Sequence, residues 1–259
     1  MTETPIAHAG VASAKQIFFR GSDFLSLADL NSLLKLSDVP LEDEIPYSME
    51  QLKKAKESGL MLVSMLPDLT MQSIAEKVGN KMPDDNNLLY SIDWYKKEKF
   101  FTETKTRGGA YLVSLAGLPS SNNKNYLQQT KILADWVKAN SSLSVNPAKV
   151  EQYAEDFYSK EKSLQKTLDA DWQKGGQALY ELDLNQNCRE RACETTLRLI
   201  AFKKVNGINL HENDYAWLAD ITSGSRLVDL GRCGSGGANV SSGSARDSDG
   251  DLYLVPRLQ

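Results

Sequence analysis

Helical patterning stops at Trp217, and that break restricts the chain to folds that end in a β-rich layer. Beyond it glycine and serine become dense, and short apolar runs alternate with polar residues at Leu227 to Leu230, Ala238 to Ser242 and Asp251 to Val255. Period-two alternation broken by Gly/Ser clusters is the pattern of short strands joined by tight turns. Upstream, apolar residues recur at helical spacing. Ser22 is placed to cap a short helix carrying Leu25, Leu27, Leu30, Leu33 and Leu34. Ser48 and Gln51 match a capping box, in a helix that Gly59 ends. Leu60 to Leu66 reads as a buried strand and Thr70 to Val78 as a helix stopped by Gly79. After a polar connection, Met82 to Asn87, come an aromatic-rich segment, Leu88 to Phe101, and a strand, Ala110 to Leu115. Further helices are expected from about Asn125 to Ala139, from the Asn146–Pro147 cap to about Leu168, and from Glu190 to Val205. The first 20 or so residues read as a loose arm or edge strand. Helices first and an irregular β-rich end last predict an α+β fold.

A length of 259 residues is enough to bury a core without disulfides or metal. The reading divides the chain into an N-terminal helical part, 1–85, packed on a second unit, 86–259. The net charge of -4 argues against general nucleic-acid or anionic-membrane binding. No apolar run approaches a membrane span. Met1 to Lys15 lacks the basic start and apolar core of a signal peptide, so a cytoplasmic location is the default expectation. The cysteines, Cys188, Cys193 and Cys233, are an odd, sparse set that suits a reducing compartment better than a disulfide framework. With His8 and His211 the only histidines, a zinc site lacks an obvious ligand set, and no cofactor is expected.

From Leu218 to Leu258 there is no Lys, Glu, Gln, Met or Trp. At the rate of the whole chain about nine would be expected. These five residue types are the ones that codons ending in a pyrimidine never encode. A retroelement that randomises adenines in AAC or AAT codons leaves the final pyrimidine intact, so a randomised position can become none of the five. It can become Ser, Gly, Asn, Asp, Arg, Ala, Cys or Tyr, which populate Arg232 to Arg246. A plain Gly/Ser-rich tail is the competing account. It fits poorly with the strand-like spacing of Val228, Leu230, Val240, Leu252 and Leu254.

The C-terminal region resembles the variable proteins of diversity-generating retroelements, with the nearer likeness to those of uncultured archaea and small-genome bacteria. The resemblance rests on Tyr215, Trp217 and Asp220, on Ser223 to Val228, on Gly231 to Gly237, on Ser248 to Leu252 and on Val255-Pro256-Arg257. Gly236, Gly237 and Arg257 match that family's GG turn and Arg-ended last strand. Trp94 to Phe100 and Arg107 to Leu112 also look like segments of such proteins. The resemblance implies a C-type-lectin-like fold of the formylglycine-generating-enzyme subtype with additional helices. It also implies a variable region at about 223–258 and a ligand-binding, non-enzymatic role toward an unknown protein or surface ligand.

In such strands one face packs and the other is solvated. Val228, Leu230, Val240, Leu252 and Leu254 are the expected inward set. The expected variable, solvated set is Asp229, Arg232, Cys233, Ser235, Ala238, Ser241, Ser242, Ser244, Ala245, Arg246 and Tyr253. Arg232, Arg246 and Tyr253 are the plausible anchors, by the chemistry of paratopes. Three other readings compete. Asp247, Asp249 and Asp251 invite calcium, but an EF-hand loop needs Gly sixth and an acid twelfth, and neither is in place. Gly231 to Gly237 lacks the Lys-Ser/Thr ending of a phosphate loop. A cysteine oxidase like the formylglycine-generating enzymes needs a cysteine pair, and Cys233 has no neighbour in sequence. A structural or adhesion subunit with a fixed lectin-like site is a further alternative.

Overall fold

The computed structural model describes residues 11–36, 45–81, 87–234 and 237–259. Among these the strands are β1 (Phe24–Leu25), β2 (Leu60–Met65), β3 (Leu89–Tyr90), β4 (Gly109–Ser114), β5 (Tyr215–Ile221), β6 (Leu227–Gly234), β7 (Gly237–Gly243), β8 (Leu252–Tyr253) and β9 (Arg257–Leu258). The helices are α1 (Val11–Ala14), α2 (Leu27–Leu34), α3 (Met49–Glu57), α4 (Met71–Val78), α5 (Lys99–Thr102), α6 (Tyr126–Asn140), α7 (Pro147–Ala170), α8 (Trp172–Tyr180), α9 (Asp183–Cys188) and α10 (Ala192–Asn206). The fold is α+β.

Two sheets organise it. The first runs β1-β2-β4-β9, with β1 parallel to β2 and the other pairs antiparallel. The second runs β3-β7-β6-β5-β8, with an antiparallel centre and parallel partners at both edges. β2 is apolar but for the buried Ser64, since a strand covered on both faces has no solvated side. Met61, Val63, Tyr111 and Val113 enter one core, shared with α4 and α10. Leu60, Leu62, Ala110 and Leu112 enter a second core, shared with α6 and α7. The second sheet sends Ala216, Leu218, Val228, Leu230 and Val240 into the first core against Leu197 and Ile200. Each buried Leu, Ile or Val among them contributes roughly 1.5–3 kcal/mol of burial.

Local signals set most helix starts. Ser48 accepts from the Gln51 N–H, Thr70 from Ser73 and Asn125 from Gln128, each with the reciprocal bond of a capping box. Asn146 caps α7, with Pro147 in its first turn. Other expectations are corrected. The helix expected from Ser22 starts later: Ser26 is the cap, its box closes on Asp29, and Leu25 belongs to β1. Within the expected N-terminal arm, residues 11–14 are helical, while residues 1–10 lie outside the described residues, as does most of the 82–87 connection. The first sheet takes β1 and β2 from before residue 85 and β4 and β9 from after it, and both cores draw residues from either side. Helices α8 and α9 were not expected. In α8 Gly175 permits close packing: a Cβ on it would lie 2.5 Å from the Leu168 backbone. Of the run expected from Asp251 to Val255 only Leu252–Tyr253 is strand, as β8, and β9 follows beyond it in the other sheet.

Buried charge ties α10 to the sheets. Glu190, just before the helix, accepts from Arg198 Nη2 at 2.6 Å and from the Tyr111 hydroxyl at 2.7 Å. Glu194 accepts from Arg107 and from the Arg191 N–H. Nearby Arg107 and Arg257 hold the buried Glu194 carboxyl down at about 2, against the upward push of desolvation. The Arg257 guanidinium is itself buried and lies 4.2 Å from the centre of the Tyr111 ring.

Candidate functional site

The face of the second sheet opposite the first core carries a polar row. Trp217 on β5 pairs with Asp229 on β6, which pairs with Ser241 on β7. One register step away Tyr215, Gly231 and Asn239 align in the same way. Gly231 has no alternative, since a Cβ there would lie 1.9 Å from the Asp214 carbonyl oxygen. The stretch between β7 and β8 folds back beside this face. It is pinned by hydrogen bonds from the Asn123 N–H to the Asp249 carbonyl (2.8 Å), from Tyr126 to Ala245 (3.2 Å) and from Tyr215 to Asp251 (2.7 Å). Between them lies an open cleft of about 440 Å³.

Its chemistry is acidic and aromatic. Asp229, 7% exposed, and Trp217, 1% exposed, form the floor, and Asp247, Asp249 and Asp251 line the side. Desolvation pushes the Asp229 carboxyl up to about 7. The Asp251 and Asp247 charges add to this, and Arg226 opposes it. Asp229 has no side-chain partner among the described residues. The other carboxylates are engaged. Asp247 Oδ2 accepts from the Ser244 N–H at 2.7 Å, Asp249 Oδ1 accepts from the Gly250 N–H at 2.6 Å, and Asp251 pairs with Arg232. The exposed Arg232 guanidinium also lies 5.4 Å from the centre of the Tyr215 ring.

Of the expected solvated set, Asp229, Arg232, Ser241 and Ser242 converge on the cleft. Ser244 is half-buried in the adjoining turn, where its hydroxyl accepts from the Arg246 N–H. Tyr253 is half-buried against Gly117, at which a Cβ would meet the tyrosine side chain at 2.3 Å. Ser235 lies outside the described residues. Four expectations of solvation are corrected. Asp229 faces outward in the strand but is buried at the floor of the cleft, beside the returning segment that carries Asp247, Asp249 and Asp251. Cys233 and Ala238 turn into the first core, and Ala245 into the second. Arg246 is exposed, yet it is not a free anchor, because its guanidinium donates to the Leu168 and Asp169 carbonyls at the end of α7. The inward set, Val228, Leu230, Val240, Leu252 and Leu254, is buried throughout. Tyr215 and Trp217 were missed as site residues. The alternation in Tyr215-Ala216-Trp217-Leu218 was the available signal, because it puts both rings on one strand face.

No group of three or more His, Cys, Asp or Glu among the described residues is arranged to hold a metal ion. The acidic stretch uses its carboxylates on its own backbone and on Arg232. Adding a calcium chelator should therefore leave the melting temperature unchanged. A drop of several degrees, reversed by calcium, would refute this. No described helix is long and apolar enough to cross a membrane. No family model matches the chain, and no curated protein or solved structure matches it either.

Proposed function

We propose that the chain is a non-catalytic ligand-binding protein on a C-type-lectin-like scaffold, whose cleft face is diversified by retroelement-directed mutagenesis of Asn codons. One coincidence carries the reading. The stretch without Lys, Glu, Gln, Met or Trp, Leu218 to Leu258, is also the stretch that supplies β6, β7 and the returning wall of the cleft. Selection for a well-packed core gives no reason to exclude those five types from both a sheet face and the loop beside it.

The cysteine-oxidase alternative draws no support from the thiols. Burial pushes Cys188 and Cys233 up to about 12 and Cys193 well above its ordinary value, so all three stay protonated at neutral pH. A fixed-site adhesion subunit differs from the proposal in one observable respect. Sequencing the genomic neighbourhood should find a reverse transcriptase gene and a template repeat that differs from this coding segment at adenines. If neither is found, the diversification part of the proposal fails and a fixed binding site remains.

The same proposal predicts an asymmetry in stability. Exchanging Arg232, Ser241 and Ser242 together for other pyrimidine-codon residues should change the unfolding free energy by less than about 1 kcal/mol. Val240→Ser or Leu254→Ser should cost roughly 2–4 kcal/mol, because each removes core volume and buries a hydroxyl. Cys233, Ala238 and Ala245 now belong with the second group. Denaturant melts of both sets decide it, and equal losses would show that the cleft residues are core.

A further inference from the structure

The geometry points to an arginine side chain of a protein ligand as the group that the cleft takes, with its guanidinium on the Asp229 carboxylate. The inference rests on the ligand-binding reading and narrows it to one chemistry.

Three observations converge. Asp229 is the one carboxylate of the cleft without a bond of its own, and it lies more than nine-tenths buried at the floor of a 440 Å³ opening. A buried carboxylate with no donor leaves hydrogen-bonding capacity unused, and a forked cation supplies two donors at once. Asp247, Asp249 and Asp251 line the cleft beside it. Among the described lining residues Arg232 is the one cation and is already bonded to Asp251, and nearby Arg226 is committed to the Ser242 carbonyl. An entering cation therefore meets a net negative field inside a concave wall, which focuses it. The chain also displays the arrangement in its own residues. At the rim Arg232 bonds a carboxylate while its guanidinium lies beside the Tyr215 ring. The floor repeats that pairing, with Asp229 opposite Trp217 across the β5–β6 ladder, and leaves it without a cation.

An anion is disfavoured by the same charges, and an apolar group would leave the Asp229 carboxylate dry and unpaired. Lysine offers the same charge without the planar fork, so it should bind more weakly than arginine.

The test uses the full chain and three capped tripeptides, Gly-Arg-Gly, Gly-Lys-Gly and Gly-citrulline-Gly, titrated while the Trp217 indole and Asp229 amide resonances are followed by NMR. The arginine peptide should saturate these shifts, and the neutral citrulline isostere should bind at least tenfold more weakly. Asp229→Asn should weaken the arginine peptide at least tenfold while its thermal melt stays cooperative. Asp183→Asn, the same charge change at a remote exposed site, should not. Equal binding of arginine and citrulline peptides, or undiminished binding by Asp229→Asn, would overturn the inference. A template repeat found together with such a result would sink only this inference. Arginine binding without a template repeat would sink only the diversification reading.

Discussion

Arg198→Met should lower the unfolding free energy by about 3–5 kcal/mol, the cost of leaving a buried charge without its partner. Arg198 is 0% exposed and Glu190 2% exposed. Glu190 takes the Arg198 Nε at 2.9 and 3.0 Å, together with the Tyr111 and Thr195 hydroxyls. Removing the guanidinium leaves a carboxylate inside the protein with two hydroxyl donors and no counter-charge. The joint variant, Arg198→Met with Glu190→Gln, should recover most of the loss, because it withdraws both charges from the core. Urea denaturation of the two singles and the double gives the coupling. A loss under about 1 kcal/mol for Arg198→Met would show that the pair contributes little to keeping α10 against β4.

Asp229→Asn should act in the opposite direction and only above mildly acidic pH. The folded-state value of Asp229, about 7, lies above the usual 3.8. Below 3.8 both folded and unfolded chains hold the proton, and the group contributes nothing to pH dependence. Between 3.8 and 7 the unfolded chain releases the proton and the folded chain keeps it, so stability from this group falls as pH rises. Above 7 the penalty is complete, at most about 4 kcal/mol for a shift of this size. The variant should therefore be more stable than the parent by about 2–4 kcal/mol at pH 8, and the gap should close toward pH 4. Buried Asp220, also raised to about 7, adds a term of the same sign, while Glu194 adds the reverse, a contribution lost only as pH falls toward 2. Both persist in the variant and cancel in the difference. A pH-independent gap between the two proteins would show that Asp229 does not titrate as described.

The cost of that carboxylate has a reason if the cleft binds a cation. An unpaired buried Asp weakens the free protein and becomes satisfied in the complex. A binding site concentrates such groups, whereas a site selected only for stability would replace them.

Sequence alone determined what depends on neighbours three or four residues apart. Ser48, Thr70, Asn125 and Asn146 start helices because each side chain reaches a backbone N–H of its own first turn, wherever the helix later packs. The alternation of Val228, Leu230 and Val240 marked one face of the second sheet as core, and the change of composition after Trp217 marked the β-rich end of the chain. Tertiary structure decided what covers the other face. Asp229 is buried although it points away from the core, because a segment some 20 residues later returns beside it and is pinned there by Asn123, Tyr126 and Tyr215. Ala245 and Arg246 are claimed by helices α6 and α7, whose chain positions lie 75 or more residues upstream. Period two separates the faces of a strand, but it carries no record of which distant segment will cover a face. That is set by long-range contacts, which are made only when the whole chain has folded.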